Sequence, residues 1–563
     1  MKKILLGLVL LNVSCSEVIT IDDVKKDIDK SSIPIPTEMV VRMDNEEGFE
    51  SKKEGWIDLM HTAPPNVDWR EVNKQNFEHL MEAKRFHSQS RAVESFAGGN
   101  LTGEWVERGS KNQAGNLSVV DFETESEQIY GVADNGAVWR SNLSGTSWTV
   151  LNDFELFDKD VIKVIHLSPG NRRILATKGK DIWYSDDEGQ NWLAAAGFTL
   201  PAGGGSGIDL VQLNDANNTI VYLYNFDPII GSSKNKLAYS IDNGETFVEV
   251  AVLANIGSSM ASMSHTAGSE MAHILDRSAN LFRFQGTSLT LVNDDLGINA
   301  LNYVKMVTSI TGADTTIYIL KDKTKLYESS NAGLDFNLIS TLPEASWDVG
   351  IEVAEDDASK VYFGEVDLYR SVNNGQDFDQ VSVWWEYYDD VVNKIHADIM
   401  DINSYVKNDG TEFTLIANHG GLSISYDHLQ TTLNIGLDGL NIGQFYDVIT
   451  SPINSNYVFV GTQDQGYQRG TNANTVSGLL DFEQVVSGDY GHMQFSNDDE
   501  ALWIQYPGAS FSVYADGISD GSSTASYNID GDDMPASDWI VPTAKAPNSS
   551  DTYIYAAGGN VTV

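Results

Sequence analysis

An all-β chain built from repeated four-stranded units is predicted by three features of the sequence. First, a turn signal recurs. Ser185-Asp186-Asp187-Glu188-Gly189-Gln190-Asn191-Trp192 is matched by Ser240 to Phe247 in the pattern Ser-x-Asp-x-Gly-x-x-aromatic, and by Ser329 to Phe336 and Ser371 to Phe378 with Asn331 and Asn373 in the Asp position. Second, the aromatic-x-Ser ending that leads into the signal, or a degenerate form of it, falls at Ser141, Ser185, Ser240, Phe284, Ser329, Ser371, Ser425 and Arg469. These positions lie roughly 40 to 55 residues apart, the length of one four-stranded blade. Third, aromatic residues make up 10% of the chain, with 48 Gly and only 13 Pro, which suits many short strands joined by tight turns.

The turn signal has a mechanism. An Asp or Asn side chain bonds the backbone two residues on, Gly accepts positive φ, the Ser hydroxyl ties the turn closed, and the aromatic starts the returning strand. Ser185, Asp187, Gly189, Trp192, Ser240, Asp242, Gly244 and Phe247 are therefore assigned to structure, with Trp192 and Phe247 buried at equivalent places and Gly189 at positive φ. The motif resembles the Asp-box, or BNR repeat, of β-propellers such as bacterial sialidases, the sortilin ectodomain and the xyloglucan endoglucanases. That resemblance implies a multi-bladed β-propeller. A ninth unit without a box centres near Ala501-Leu502-Trp503-Ile504-Gln505, and a tenth opens at Thr552-Tyr553-Ile554-Tyr555-Ala556 and reads as continuing beyond Val563. Nine or ten units exceed the usual four to eight of one ring. The resemblance leaves two arrangements open: tandem propellers, as in the xyloglucanases, or one ten-bladed ring, as in sortilin.

The ends of the chain read differently. Met1-Lys2-Lys3 before Ile4 to Leu11 is a basic region followed by an apolar run too short to span a bilayer, so 1–16 reads as a signal peptide of an exported protein. Cys15, the only cysteine, stands in Asn12-Val13-Ser14-Cys15, which resembles a lipoprotein cleavage box. Lipidation there and plain secretion are the two readings, outer-membrane lipoprotein or extracellular protein. Residues 17–60 are polar and read as a linker. In 61–100, Asp68 caps a predicted helix from Trp69 to about Ser90, with Val72, Phe77, Leu80, Met81 and Phe86 on one face. The blades fill 101–563. The chain carries 36 basic against 80 acidic residues, a net charge of -44, which argues against nucleic acid or anionic lipid as partner.

Chemistry is expected away from the boxes. Consecutive strands are antiparallel, so turns between the second and third strands of a blade lie at the end opposite the boxes. Those turns are Ala133-Asp134-Asn135-Gly136, Asn418-His419-Gly420-Gly421 and Gln463-Asp464-Gln465-Gly466. Asp134 and Asp464 resemble in position the catalytic carboxylates of the xyloglucan endoglucanases, although each has one Gly where that family has two. Lys394-Ile395-His396-Ala397-Asp398-Ile399-Met400 resembles a His-x-Asp motif at the start of a blade in related bacterial proteins. His396, Asp398, His419, Asp489 and His492 are side chains that suit a divalent ion, yet their spacing is no metal signature. A buried His that bonds an Asp at the start of a strand is the plainer reading, and no metal or cofactor is assigned. Asp530-Gly531-Asp532-Asp533 reads as a solvated loop. No sialidase Arg motif, Gly-x-Ser-x-Gly elbow, His-Glu-x-x-His or phosphate loop is present.

The function expected is a binding platform for a polysaccharide or an extracellular protein, with Trp384 and Trp385, beside Tyr387 and Tyr388, supplying stacking area. The alternative is an inverting glycoside hydrolase acting on a β-glucan, with Asp134 and Asp464 as the acid and base. It requires their carboxyl groups to face each other about 6.5 to 9.5 Å apart, a geometry the pair is expected to miss.

Overall fold

The second strand of each unit is an unbroken apolar run because it is covered on both faces. Ile317, Tyr318, Ile319 and Leu320 are all fully buried, as are Ile129, Tyr130 and Val132 in an earlier unit. The fourth strands, such as Thr149–Val150 and Asn337–Thr341, are short or polar and lie at the exposed edge. A sheet buried on both faces along its inner strands and charged or short at its outer edge is a propeller blade.

The structure is a computed structural model that describes residues 107 to 562, apart from short internal gaps, and scattered residues between 55 and 102. The signal peptide with Cys15, nearly all of the linker and Asp530 to Asp533 lie outside the described residues. In the lead-in, Trp69, Val72, Asn73, Gln75, Asn76 and His79 are helical, and the Val72 N–H donates to Asp68 O at 3.1 Å. Val72 is exposed, contrary to its expected place on an apolar face. Phe77, Leu80, Met81 and Phe86 lie outside the described residues.

Among the described residues there are nine four-stranded antiparallel sheets and one three-stranded sheet, each built from consecutive strands. Blades one to seven run Leu117–Val150, Ile162–Ala194, Gly203–Val252, Ser262–Asn293, Val304–Thr341, Gly350–Ser382 and Ile399–Asn434. Two more four-stranded sheets span Phe445–Val486 and Met493–Asn528, and the three-stranded sheet spans Thr543–Thr562. The third strands end within one residue of the eight positions predicted from the aromatic-x-Ser repeat.

The first seven blades close into a ring. Each innermost strand packs on the next, and the innermost strand of blade seven packs on that of blade one. The apolar core is correspondingly divided among seven seams, one cluster between each adjacent pair. In the closing seam Leu117, Phe122 and Ile129 of blade one meet Phe413, Leu415 and Ile424 of blade seven, and Trp148 Nε1 donates to Ile435 O at 2.7 Å. This closure excludes a single ten-bladed ring. Polar straps follow the same route: Asp121 Oδ2 accepts the Val164 N–H at 2.7 Å, Ser262 Oγ accepts that of Met306 at 3.0 Å, and Asp401 Oδ2 accepts that of Val120 at 3.2 Å. The last of these joins blade seven to blade one by the device that joins one to two.

The box turns repeat one geometry. In the first, Ser185 Oγ accepts the Gly189 N–H at 2.9 Å and bonds Asp187 Oδ1 at 2.9 Å, while Asp187 Oδ1 accepts the Asn191 N–H at 2.8 Å. Gly189 has φ of 76°, as predicted, and Trp192 and Phe247 are both buried. A fifth box at Ser425 repeats the bonds through Asp427, with Leu429 in the glycine position at φ of 60° and buried.

The chain divides into two compact units, one of residues 81–445 and 463–487, the other of 1–80, 446–462 and 488–563. The first holds the seven-bladed ring and the hairpin Tyr467–Val486. In the second, Asp447 Oδ2 accepts the Met493 N–H at 2.8 Å, and Phe511, Val541 and Ile554 form a core.

Candidate functional site

Strand direction places the turns between second and third strands, and the connections from one blade to the next, at the end opposite the boxes. Three pieces of chain meet there within the first unit: the connection from blade six to seven with Asp398, the turn of blade seven with His419, and the turn before Tyr467 with Asp464. His419 Nδ1 lies 2.6 Å from Asp464 Oδ2 and 3.2 Å from Asp398 Oδ2. The two aspartates have φ of 62° and 60°, left-handed values that short polar residues accept at modest cost.

The surroundings fix these groups. Gln465 Nε2 donates to His419 O at 3.1 Å, and Asn418 Oδ1 accepts the Gly420 N–H at 2.8 Å. His396 is buried beneath the turn, where a Cβ on Gly420 would meet its Cβ at 2.6 Å. Its Nδ1 lies 3.1 Å from Ala397 O, and its ring meets Tyr387 edge-on at 4.7 Å between centroids. Tyr387 belongs to the 3-10 helix Trp384–Asp389, whose first residue, Trp384, is exposed. Trp384, Tyr387, His396 and Asp398 thus belong to one connecting segment, which carries an outward aromatic at one end and the aspartate at the other.

The two histidines differ in charge for physical reasons. Burial pulls both toward the neutral form. At His396 burial dominates and its pKa is lowered. At His419 burial is overcome by hydrogen bonds and attraction from Asp398 and Asp464, and its pKa is raised to about 10. The cluster therefore holds an imidazolium between two carboxylates at neutral pH.

Asp134 sits at the same end, on blade one. It pairs with Lys159, and its Oδ2 accepts from Gln444 Nε2 at 2.5 Å. Gln444 O accepts the Gln463 N–H at 2.9 Å, so the Asp134 and Asp464 turns are connected through one residue, and each carboxylate is engaged by a cation of its own. The Asp134 turn is a built hairpin: Asn135 Oδ1 accepts the Ala137 N–H at 3.0 Å, and a Cβ at Gly136 would meet Phe157 O at 2.3 Å.

Of the residues singled out from sequence, Asp398, His419 and Asp464 are brought together with His396 against them. Asp489 and His492 belong to the second unit, where Tyr446 donates to Asp489 Oδ1 at 3.3 Å and Gln505 donates its N–H to His492 O at 3.2 Å. The side chain of Trp385 lies outside the described residues. Sequence reasoning missed Lys159 and Gln444, which sit in connections with no motif, and passed over Gln465 inside the turn that carries Asp464.

No protein-family model matches the sequence, and no curated protein matches it. Solved structures similar to the chain include YCF48 from Cyanidioschyzon merolae, at 14% identity and a TM-score of 0.37, covering 57% of this chain and 98% of that one. YCF48 bound to D1 peptide is similar at 14% identity and a TM-score of 0.36, covering 60% and 97%. The GH74 enzyme of Niastella koreensis is similar at 13% identity and a TM-score of 0.28, covering 79% and 73%.

Proposed function

We propose that the protein is an exported or cell-surface β-propeller that binds a polysaccharide or protein ligand on the end of the ring opposite the Asp-boxes. The observation that carries this reading is the segment from Trp384 to Asp398. It turns the Trp384 ring outward from a helix anchored by buried Tyr387 on His396, and an exposed ring on a rigid base gives stacking area at little entropic cost. The signal-like 1–16, with or without a lipid on Cys15, supports a place for such a platform outside the cell or on the outer membrane.

The hydrolase reading is second. It is favoured by the connection of the Asp134 and Asp464 turns through Gln444. It is weakened because an inverting pair needs one carboxyl held as an acid, whereas Lys159 pairs with Asp134 and the His419 imidazolium with Asp464. The experiment is retention of the protein on immobilised β-glucans and other polysaccharides, run beside an assay for new reducing ends. Binding without turnover, lost in Trp384→Ala, supports the platform. Turnover abolished by Asp464→Asn with retention intact establishes the hydrolase instead.

A further inference from the structure

We infer that Asp398, His419 and Asp464 form a binding site for a divalent first-row transition-metal ion of the Zn²⁺ class. This goes beyond the binding-platform reading and does not depend on it.

The geometry is that of three converging donors. His419 Nδ1 and one carboxylate oxygen from each aspartate all lie within 4.8 Å of one another. A divalent ion bound at about 2.0 to 2.2 Å to each of three ligands requires only small side-chain adjustment from such a cluster. The donors come from three separate pieces of chain, the connection into blade seven, the turn of blade seven and the turn before Tyr467, so their convergence is a product of tertiary packing and not of a local acidic run. Their side chains are 13%, 21% and 19% exposed for His419, Asp398 and Asp464, accessible from solvent yet mostly enclosed.

The donor set selects the ion. One imidazole nitrogen with two carboxylates suits Zn²⁺, Mn²⁺ or Fe²⁺, whereas Ca²⁺ and Mg²⁺ prefer oxygen alone. Two carboxylates balance the charge of a divalent ion, and three protein ligands leave a coordination position open to water or to an oxygen of a ligand. On binding, the ion takes the place of the proton that His419 shares with the carboxylates, and that proton leaves to solvent. The supporting shell is in place: Gln465 holds the His419 carbonyl, and His396 packs under the turn. Such groups orient ligands and govern affinity. Among the described residues the other cluster of comparable donors, Glu123, Glu125 and His166, is less suited, because Glu123 already accepts two backbone N–H groups, from Glu125 at 2.8 Å and Ser126 at 2.9 Å.

The test uses the full chain, stripped with a chelator and titrated with ZnCl₂, MnCl₂ and CaCl₂ by calorimetry. One site per chain is expected, tightest for Zn²⁺, and weakened at least ~10-fold in both Asp464→Asn and His419→Gln. Asp489→Asn, in the other unit, should leave affinity unchanged. Loading the unaltered protein with Co²⁺ requires no variant: visible absorption bands that Zn²⁺ displaces are expected, and their absence overturns the proposal even if a variant fails to fold. Zn²⁺ affinity in both ligand variants equal to that of the unaltered protein, or no heat of binding up to millimolar ion, overturns it as well and leaves the cluster as a clamp between turns.

Discussion

The two ends of the seven-bladed ring are made in different ways. At the box end, five turns repeat one set of bonds within their own eight residues, Ser hydroxyl to backbone N–H and Asp or Asn oxygen to backbone N–H. At the opposite end an Asp or Asn bond to the N–H two residues on recurs in the turns of blades one, four and seven, but the bonds of the candidate site do not repeat. Asp398, His419, Asp464, Gln444 and Asp134 satisfy one another across separate connections. A local, repeated solution fixes the backbone cheaply in five of the seven blades, whereas a non-local one exists once and ties up charge, which is where a site can arise without disturbing the scaffold.

The comparison can be broken by substitution. His419→Ala removes the cation between two carboxylates, and a loss of about 3 kcal/mol is expected, read by chemical denaturation. A loss below ~1 kcal/mol would mean that the cluster is a solvated surface group and that the two ends do not differ in this way. Gly189→Val forces a β-branched residue into φ of 76° and should cost about 1 to 3 kcal/mol. Ser240→Ala and Ser329→Ala each leave one buried N–H without its acceptor. They should cost about 1 kcal/mol apiece, and equal losses from the two are what a true repeat demands. Trp384→Ala should change stability by less than ~0.5 kcal/mol, as suits an exposed ring, while abolishing ligand retention.

Acidity sharpens the contrast further. His419 is raised from 6.5 to about 10, so its proton stabilises the fold fully below pH 6.5 and that contribution is lost as pH rises toward 10. Along the ring axis, Asp209 and Glu355 are pushed up to about 7 and Asp401 to about 6, chiefly by burial. These side chains keep some exposed surface yet are enclosed by the innermost strands, with Lys163 and Lys305 among the charges facing them. Their stabilising protons are lost between pH 4 and 7. His265 and His273, both lowered to about 4 by burial, act in the opposite sense, and their contribution is lost as pH falls from 6.5 toward 4. The melting temperature should therefore fall on the alkaline side of neutrality. His419→Gln should flatten the limb between pH 6.5 and 10, and Asp209→Asn should raise the melting temperature at pH 8 by a few degrees while leaving it unchanged at pH 4.

The fold was legible in the sequence because its information is local. The box at Ser185 to Trp192 carries its own bonds, and repetition at Ser240, Ser329 and Ser371 sets the length of a blade. Ring closure was not legible. It depends on Phe122 meeting Phe413, and on Asp401 meeting the Val120 N–H, across nearly the whole ring. The only hint of the straps is an Asp in each of the two inner strands, Asp121 and Asp401. Part of the candidate site is readable residue by residue: the sequence groups Asp398 and His419 among candidate binding residues with no metal assigned, and it pairs Asp464 with Asp134 instead. The contact between Asp464 and His419 joins turns of successive units and has no signature in either turn alone.

Because every sheet among the described residues is made of consecutive strands, with none exchanged across the closing seam, the order of synthesis matters. Trp148 and the carbonyl it binds at Ile435 are 287 positions apart. At about 5 to 20 residues per second, blade one waits roughly 15 to 60 s on the ribosome before its partner face exists. During that interval the flank holding Leu117 and Phe122 has no cover, and loop closure over such a length is the slow part of assembly. A net charge of -44 keeps half-made rings on neighbouring chains apart by mutual repulsion, so the acidity of the sequence protects the nascent chain as well as the finished one.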